Sequence, residues 1–339
     1  MEGLFLVQNG YMKAQELGIQ NHICVLPYGE NSDTGKALWS TVDLKPYQSY
    51  LVNGRSADRL FRGFIFNPIN GREDHYFNPI FADFGELAEK EDWTIALKRL
   101  FVSNFNLDAL AINTKPGFKT DIWVTIPYPN SSQTKFGLVE GRELNFKNDE
   151  DREEAIKWWI SSFQNMWDQS TQLHESLTFK GFVWQRVSIS GNDISLVKNV
   201  NNFIHSNGFL SLWLQQYGSC GCVDWKEFGF DASCTNPNFY GNSGNDFSWI
   251  ANSTVFADYY HIGMQIFFGK GDMFKDRHLY DYLNYGVYNN YMNESLLVYQ
   301  FPNQTMREIY ENNLDEYIAL YSFTRKTYKP VYPTAAFPA

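Results

Sequence analysis

No stretch of the sequence approaches the ~20 consecutive apolar residues that a membrane-crossing helix needs. The N-terminal MEGLFLVQNG has no basic lead-in, and its apolar run is too short for a signal peptide. The expectation is therefore a chain without signal peptide or transmembrane segment, which stays in the cytoplasm or reaches a cell surface or virion by another route. Cysteine is sparse. Cys24, Cys220, Cys222 and Cys234 are the only four in 339 residues, which excludes a disulfide scaffold. Cys220-x-Cys222 is the one close pair, and the doubled spacing of zinc ligands is missing, so no metal and no cofactor are expected. Basic residues are too few to balance the acids: 28 Lys and Arg face 38 Asp and Glu, for a net charge of −10. A field of that sign repels nucleic acid and anionic membrane, and both are discounted as partners. A phosphate-binding glycine loop, a dinucleotide fingerprint and a nucleophile elbow are all absent.

Aromatic residues are abundant instead, with 28 Phe, 21 Tyr and 10 Trp, or 17% of the chain. Most are expected to fill a core; some Tyr and Trp could form platforms for sugar faces, since each has a polar tip. Apolar runs of strand length recur at 4–9, 60–67, 121–127, 179–185, 210–216, 230–235, 262–268 and 296–301. They are continuous rather than alternating, as in parallel strands covered on both faces. Helical patterns lie between most of them, at 91–104, 150–172, 193–207, 248–260, 276–292 and 304–327. In 150–172, acidic residues crowd the first turns, where the helix dipole favours them. Ile156, Trp159, Ile160, Phe163 and Met166 then form one apolar stripe. Gly208 is placed to end the 193–207 helix in the left-handed conformation. Eight strands alternating with helices predict an α/β fold, a single (β/α)8 TIM barrel. The barrel is expected over 1–327, with an elaborated first connection at 10–59 and a C-terminal tail at 328–339.

Sites in such barrels lie at the C-terminal strand ends. There the sequence places Gln8 and Asn9; Asn67; Tyr128; Trp184, Gln185 and Arg186; Gln215, Gln216 and Tyr217; Asn236 and Asn238; Gln265 and Phe267; and Gln300. These are amides and aromatics with one arginine and no carboxylate. Glycosidases generally need two carboxyl groups, one to protonate the leaving oxygen and one as nucleophile or base. An amide hydrogen-bonds a hydroxyl but cannot carry a proton through a cycle. The remaining weak catalytic candidates are loop acids: Asp224, Asp246 and Asp272. Asp231 falls at the start of its strand and is expected to serve stability. His205, His261 and His278 fall in or beside helical segments and are given no role. His22, His75 and His174 are expected at the surface.

Several segments in order resemble the bacterial family of unknown function DUF4855, a glycoside-hydrolase-like barrel. They are VTIPYPNSSQTKFG (124–137), EAIKWWISSF (154–163), KGFVWQRVSI (180–189), LWLQQYGSCGCVDWKEFGFD (212–231), NPNFYG (236–241) and HIGMQIFFG (261–269). The resemblance implies a sugar-shaped cleft, with acids at the ends of strands four and seven. In the family pattern strand four reads Gly-Phe-x-Trp-x-x-Glu; here Val187 stands in the acid's place. Strand seven reads Gly-x-Glu-x-Glu-Phe; here the two positions hold Gln265 and Phe267.

The leading expectation is a degenerate glycoside-hydrolase-like barrel that binds a carbohydrate or polysaccharide without hydrolysing it. Trp184 and Tyr217 would stack on sugar rings, with Tyr128 beside them. Gln185, Gln215, Asn236, Asn238, Gln265 and Gln300 would read hydroxyls, and Arg186 could meet an anionic group. Two alternatives stand beside it. One is an active glycoside hydrolase using the loop acids. The other is a surface or virion scaffold, for which a homo-oligomer or an assembly partner is open.

Overall fold

The computed structural model describes residues 10–30, 34–77, 85–191, 193–242 and 244–331. Its centre is a closed barrel of eight parallel strands joined in chain order. They are β1 (Ile23–Tyr28), β2 (Gly63–Pro68), β3 (Thr120–Ile126), β4 (Leu177–Trp184), β5 (Leu210–Gln216), β6 (Ala232–Asn236), β7 (Gly263–Phe267) and β8 (Leu297–Gln300). Seven of them fall on the expected apolar runs. The first does not: β1 lies inside the segment 10–59 that reads as a connection, and the run 4–9 lies outside the described residues. The elaborated first connection accordingly begins after Tyr28. It holds helix α1 (Thr41–Gln48) and an antiparallel ribbon of Ser49–Val52 with Arg55–Arg59.

The stretch before β1 crosses the N-terminal face of the barrel. Leu296 N–H donates to Met12 O, Gln20 N–H donates to Asp121 Oδ2 at 2.7 Å, and Asn21 bonds the Ser295 carbonyl and the Leu297 amide. His22, expected at the surface, is 5% exposed, because it enters β1 directly and meets Tyr299 Oη at 2.9 Å.

The outer helices are α2 (Lys90–Leu100), α3 (Asn106–Asn113), α4 (Asp149–Gln169), α5 (Asp193–Ser206) and α6 (Ser248–Tyr259). Four more follow: α7 (His278–Tyr288), α8 (Tyr291–Glu294), α9 (Met306–Asn312) and α10 (Leu314–Thr324). The helix expected at 276–292 is divided by left-handed Asn290, and that at 304–327 by non-helical Asn313. In α4 the predicted stripe faces inward: Ile156, Trp159, Ile160 and Phe163 are fully buried. Burying such a side chain stabilises by about 1.5–3 kcal/mol. Gly208 ends α5 with φ +78°. Gly181 is required for a different reason. A Cβ there would lie 1.8 Å from Leu210 O, where β4 meets β5 beside a register irregularity.

The aromatic excess is mostly core. Trp39, Trp93, Trp123, Trp159, Trp213 and Trp225 are almost wholly buried. Of the tail, Tyr328 is buried and donates to Asn284 Oδ1 at 2.7 Å, and residues 332–339 lie outside the described residues. Among the described residues, no helix is long and apolar enough to cross a membrane.

Candidate functional site

All eight strands contribute to a cavity of about 160 Å³ at the C-terminal mouth of the barrel. Its polar lining is Asn67, Gln185, Gln215, Gln216, Asn236, Gln265 and Gln300, with Thr125. Trp184, Tyr240 and Phe267 supply rings. Among the described residues, no Asp, Glu, Lys, Arg or His lines the cavity. Burial pushes the Tyr240 phenol above its ordinary value, against the opposing hydrogen bond to Asn236. The described lining is therefore uncharged at neutral pH.

The amides divide into those that build the mouth and those left open. Gln265, 1% exposed, donates from Nε2 to Gln215 O at 3.0 Å and Cys234 O at 2.5 Å. Its Oε1 accepts from Gln300 Nε2 at 2.7 Å. Gln185 clamps two strand ends: Oε1 accepts from Tyr128 N–H at 2.9 Å, and Nε2 donates to Pro68 O at 3.0 Å. Asn236 Oδ1 accepts from Asn238 N–H at 2.9 Å, a local turn. Gln215 donates to Ser233 Oγ at 2.9 Å, but its Oε1 has no partner, and neither does Trp184 Nε1. Both atoms are closed to solvent. A buried polar atom left in this state costs about 1–3 kcal/mol. Asn67 and Gln216 are half-buried, and neither side chain bonds to the protein among the described residues. With Gln300 Oε1, they are the groups open to a ligand.

Trp184, Gln185, Gln215, Asn236, Gln265 and Gln300 are thus brought together as the strand ends suggest. Their roles differ from the expected ones. Trp184 is 3% exposed and packs edge-on against Tyr128, so its face is no open platform. Tyr217 does not line the cavity; Trp249 and Phe256 abut its ring at 5.7 and 5.4 Å. Asn238 turns to Tyr217 O at 3.3 Å. Gln8 and Asn9 lie outside the described residues, and β1 contributes Val25 instead. The half-buried rings at the mouth are Tyr240 and Phe267, in T-shaped contact at 6.0 Å. Tyr240 arrives from the loop after β6, beyond the reach of a strand-end reading.

Tyr128 and Arg186 belong to a buried ionic knot beside the mouth. Asp193, 5% exposed, accepts from Arg152 at 2.6 Å and Arg186 at 3.1 Å, and Tyr128 Oη donates to it at 3.0 Å. Burial works most strongly against the Arg152 charge, but the bond to Asp193, the charges of Tyr128 and Asp193 and the bond to Asp149 together outweigh it and hold the guanidinium above its ordinary value. Arg186 therefore carries a partner already.

The loop acids stand apart. Asp224, Asp246 and Asp272 do not line the cavity. Asp246 accepts from the Ser248 hydroxyl and from Ser248 N–H at 2.8 Å at the start of α6, which lowers its pKa, and Asp272 is exposed. Asp231 ties His205 at 2.9 Å to the Ser211 amide at 2.7 Å, at the opposite end of the strands.

Strand order, helices on the outside and a mouth at the strand C-termini define a (β/α)8 barrel protein with an uncharged, amide-lined pocket. The chain belongs to the DUF4855 family, a domain of unknown function, whose model matches residues 23–332. No curated protein matches it. Among solved structures it is similar to the tryptophan synthase A-subunit of Pyrococcus furiosus, at 8% identity and TM-score 0.40, covering 91% of this chain and 97% of that one. Tryptophan synthase of M. tuberculosis matches at 8% identity and TM-score 0.40, covering 91% and 92%. The type I 3-dehydroquinate dehydratase of Clostridium difficile matches at 10% identity and TM-score 0.39, covering 91% and 93%. Likeness at this level carries nothing about the activity of this chain.

Proposed function

We propose that the barrel mouth binds one unit of a neutral carbohydrate and does not hydrolyse it. The observation that carries this reading is the lining: seven amides and three rings, with no ionisable acid or base beyond a tyrosine among the described residues. Amides offer both donors and acceptors without charge, which suits sugar hydroxyls. Tyr240 and Phe267 offer apolar surface beside them. The volume, about 160 Å³, is below the ~300 Å³ at which drug-sized pockets begin, and it suits a single sugar residue rather than a chain. Among the described residues, no pair of carboxyl groups lines the mouth to perform hydrolysis. At the end of β4, Val187 lines the cavity; at the end of β7, Gln265 and Phe267 do.

The test is a panel of immobilised neutral and acidic glycans probed with the wild type, Gln216→Ala and Tyr240→Ala. The reading expects retention on one or more neutral glycans, lost in both variants, and none that depends on an acidic substituent. Retention that survives both substitutions would place the site elsewhere.

A further inference from the structure

A second concavity lies on the same side of the barrel, a groove of about 610 Å³ between the β7–α7 loop and the α9–α10 corner. It is separated from the mouth by a wall of rings. Tyr240 faces Phe267 on the mouth side and Phe274, at 5.5 Å, on the groove side. Phe268 and Phe274 line it, together with Gln304, Asp276, Asp315 and Glu316.

Two side chains there are buried without partners. Glu316 is 7% exposed and makes no hydrogen bond or ion pair among the described residues. Gln304 is 1% exposed; its Nε2 donates to Phe268 O at 2.5 Å, while its Oε1 has no donor. Both are acceptors awaiting a donor. The charge around them points the same way. Lys270 faces Glu308 at 3.8 Å, Arg277 faces Asp315 at 3.8 Å, and Lys275 offsets Asp281. Those three pairings leave Asp276 and Glu316 in surplus. A bare buried carboxylate is costly, and proteins keep one chiefly where it has work to do.

We propose that this groove is a binding site for an organic cation, a primary ammonium group held by Glu316 and Gln304 Oε1 against the Phe268 and Phe274 rings. The ammonium supplies the donors that both acceptors lack, and aromatic faces attract such cations. A metal ion fits less well, because no group of three or more His, Cys, Asp or Glu among the described residues is placed to hold one. His278 does not compete. Its Nε2 accepts from Gly269 N–H at 3.3 Å and its Nδ1 faces Lys275 O, so it is neutral, and burial holds it so.

The test titrates butylammonium into the whole protein, with 1-butanol as the uncharged control, and follows carbon-13-labelled carboxyl resonances. Burial, and then the charge of Asp315, raise Glu316 to about 7; Arg277 opposes them, and Asp276 adds a smaller raise. The charged form thus grows about tenfold between pH 6 and pH 8. Butylammonium is expected to bind about tenfold more tightly at pH 8 and to pull the Glu316 midpoint down. Glu316→Gln abolishes the binding, and Asp276→Asn weakens it. Gln216→Ala, in the mouth, leaves it unchanged, so failure here is separable from failure of the carbohydrate reading. Equal response to 1-butanol, affinity independent of pH, or full binding by a folded Glu316→Gln protein would overturn the proposal.

Discussion

Gln300 donates from Nε2 to Gln265 Oε1 at 2.7 Å, joining the ends of β8 and β7 across the mouth. With its two amide hydrogens given to Gln215 O and Cys234 O, Gln265 has no open group left. Where the resemblance implies a carboxylate, the chain holds a cross-brace. Gln265→Glu is therefore predicted to harm the protein rather than restore chemistry. A carboxylate there would face two carbonyl oxygens while 1% exposed. The expected loss is about 3 kcal/mol in denaturant unfolding at pH 7, with no hydrolysis gained. A Gln265→Glu protein of unchanged stability would contradict the bracing role.

The open amides behave differently. Asn67 and Gln216 brace nothing among the described residues, so Asn67→Ala and Gln216→Ala are predicted to leave stability within about 0.5 kcal/mol. Each is predicted to weaken carbohydrate binding about tenfold, the worth of one lost hydrogen bond to an uncharged partner. Calorimetric titration beside thermal unfolding separates the two effects.

The ionic knot beside the mouth is predicted to be intolerant of halves. Asp193→Ala leaves Arg152, which is 1% exposed, with the half-exposed Asp149 at 3.1 Å as its remaining carboxylate, and is expected to cost about 3 kcal/mol in denaturant unfolding. Arg186→Ala leaves Asp193 with Arg152 and Tyr128, and is expected to cost under about 1.5 kcal/mol. Equal losses from the two would show that the half-exposed arginine carries the knot.

Acid sensitivity is predicted from His22. Burial, and then the charge of Arg62, bring it from 6.5 down to about 3. The unfolded chain therefore takes up the proton first. The stability this neutral histidine brings is intact above pH 6.5 and falls by about 1.4 kcal/mol per unit as the pH drops toward 3. His22→Gln, which retains a partner for Tyr299, is predicted to flatten that slope relative to the wild type in unfolding series from pH 7 to 4. Parallel slopes would show that His22 takes up its proton as readily in the folded protein as in the unfolded chain.

Most of the barrel was legible because buried parallel strands read as continuous apolar runs, and seven runs fell where strands lie. β1 was hidden by its own composition. Pro27 cannot donate to a ladder, which argues against a central strand. It is tolerated because β8 pairs β1 only through Ile23 and Cys24, so on that side Pro27 lies past the ladder. The mouth was legible as a set of amides, since strand C-termini place them there. Which amides are open was not. Gln185 and Gln216 look alike in sequence, and only the neighbouring Tyr128 N–H and Pro68 O commit the first and spare the second. Tyr240 and the pairing of Arg186 with Asp193 depend likewise on the local paths of the loops after β6 and β4, which the strand ends do not fix.

The central claim, binding without cleavage, is tested most directly by incubating the purified protein with the neutral glycan it retains and recording binding and new reducing ends on the same samples. The account predicts binding that Gln216→Ala removes, with no reducing ends above the protein-free control. Reducing ends that appear with the wild type and vanish with Asp224→Asn, Asp246→Asn or Asp272→Asn would contradict it.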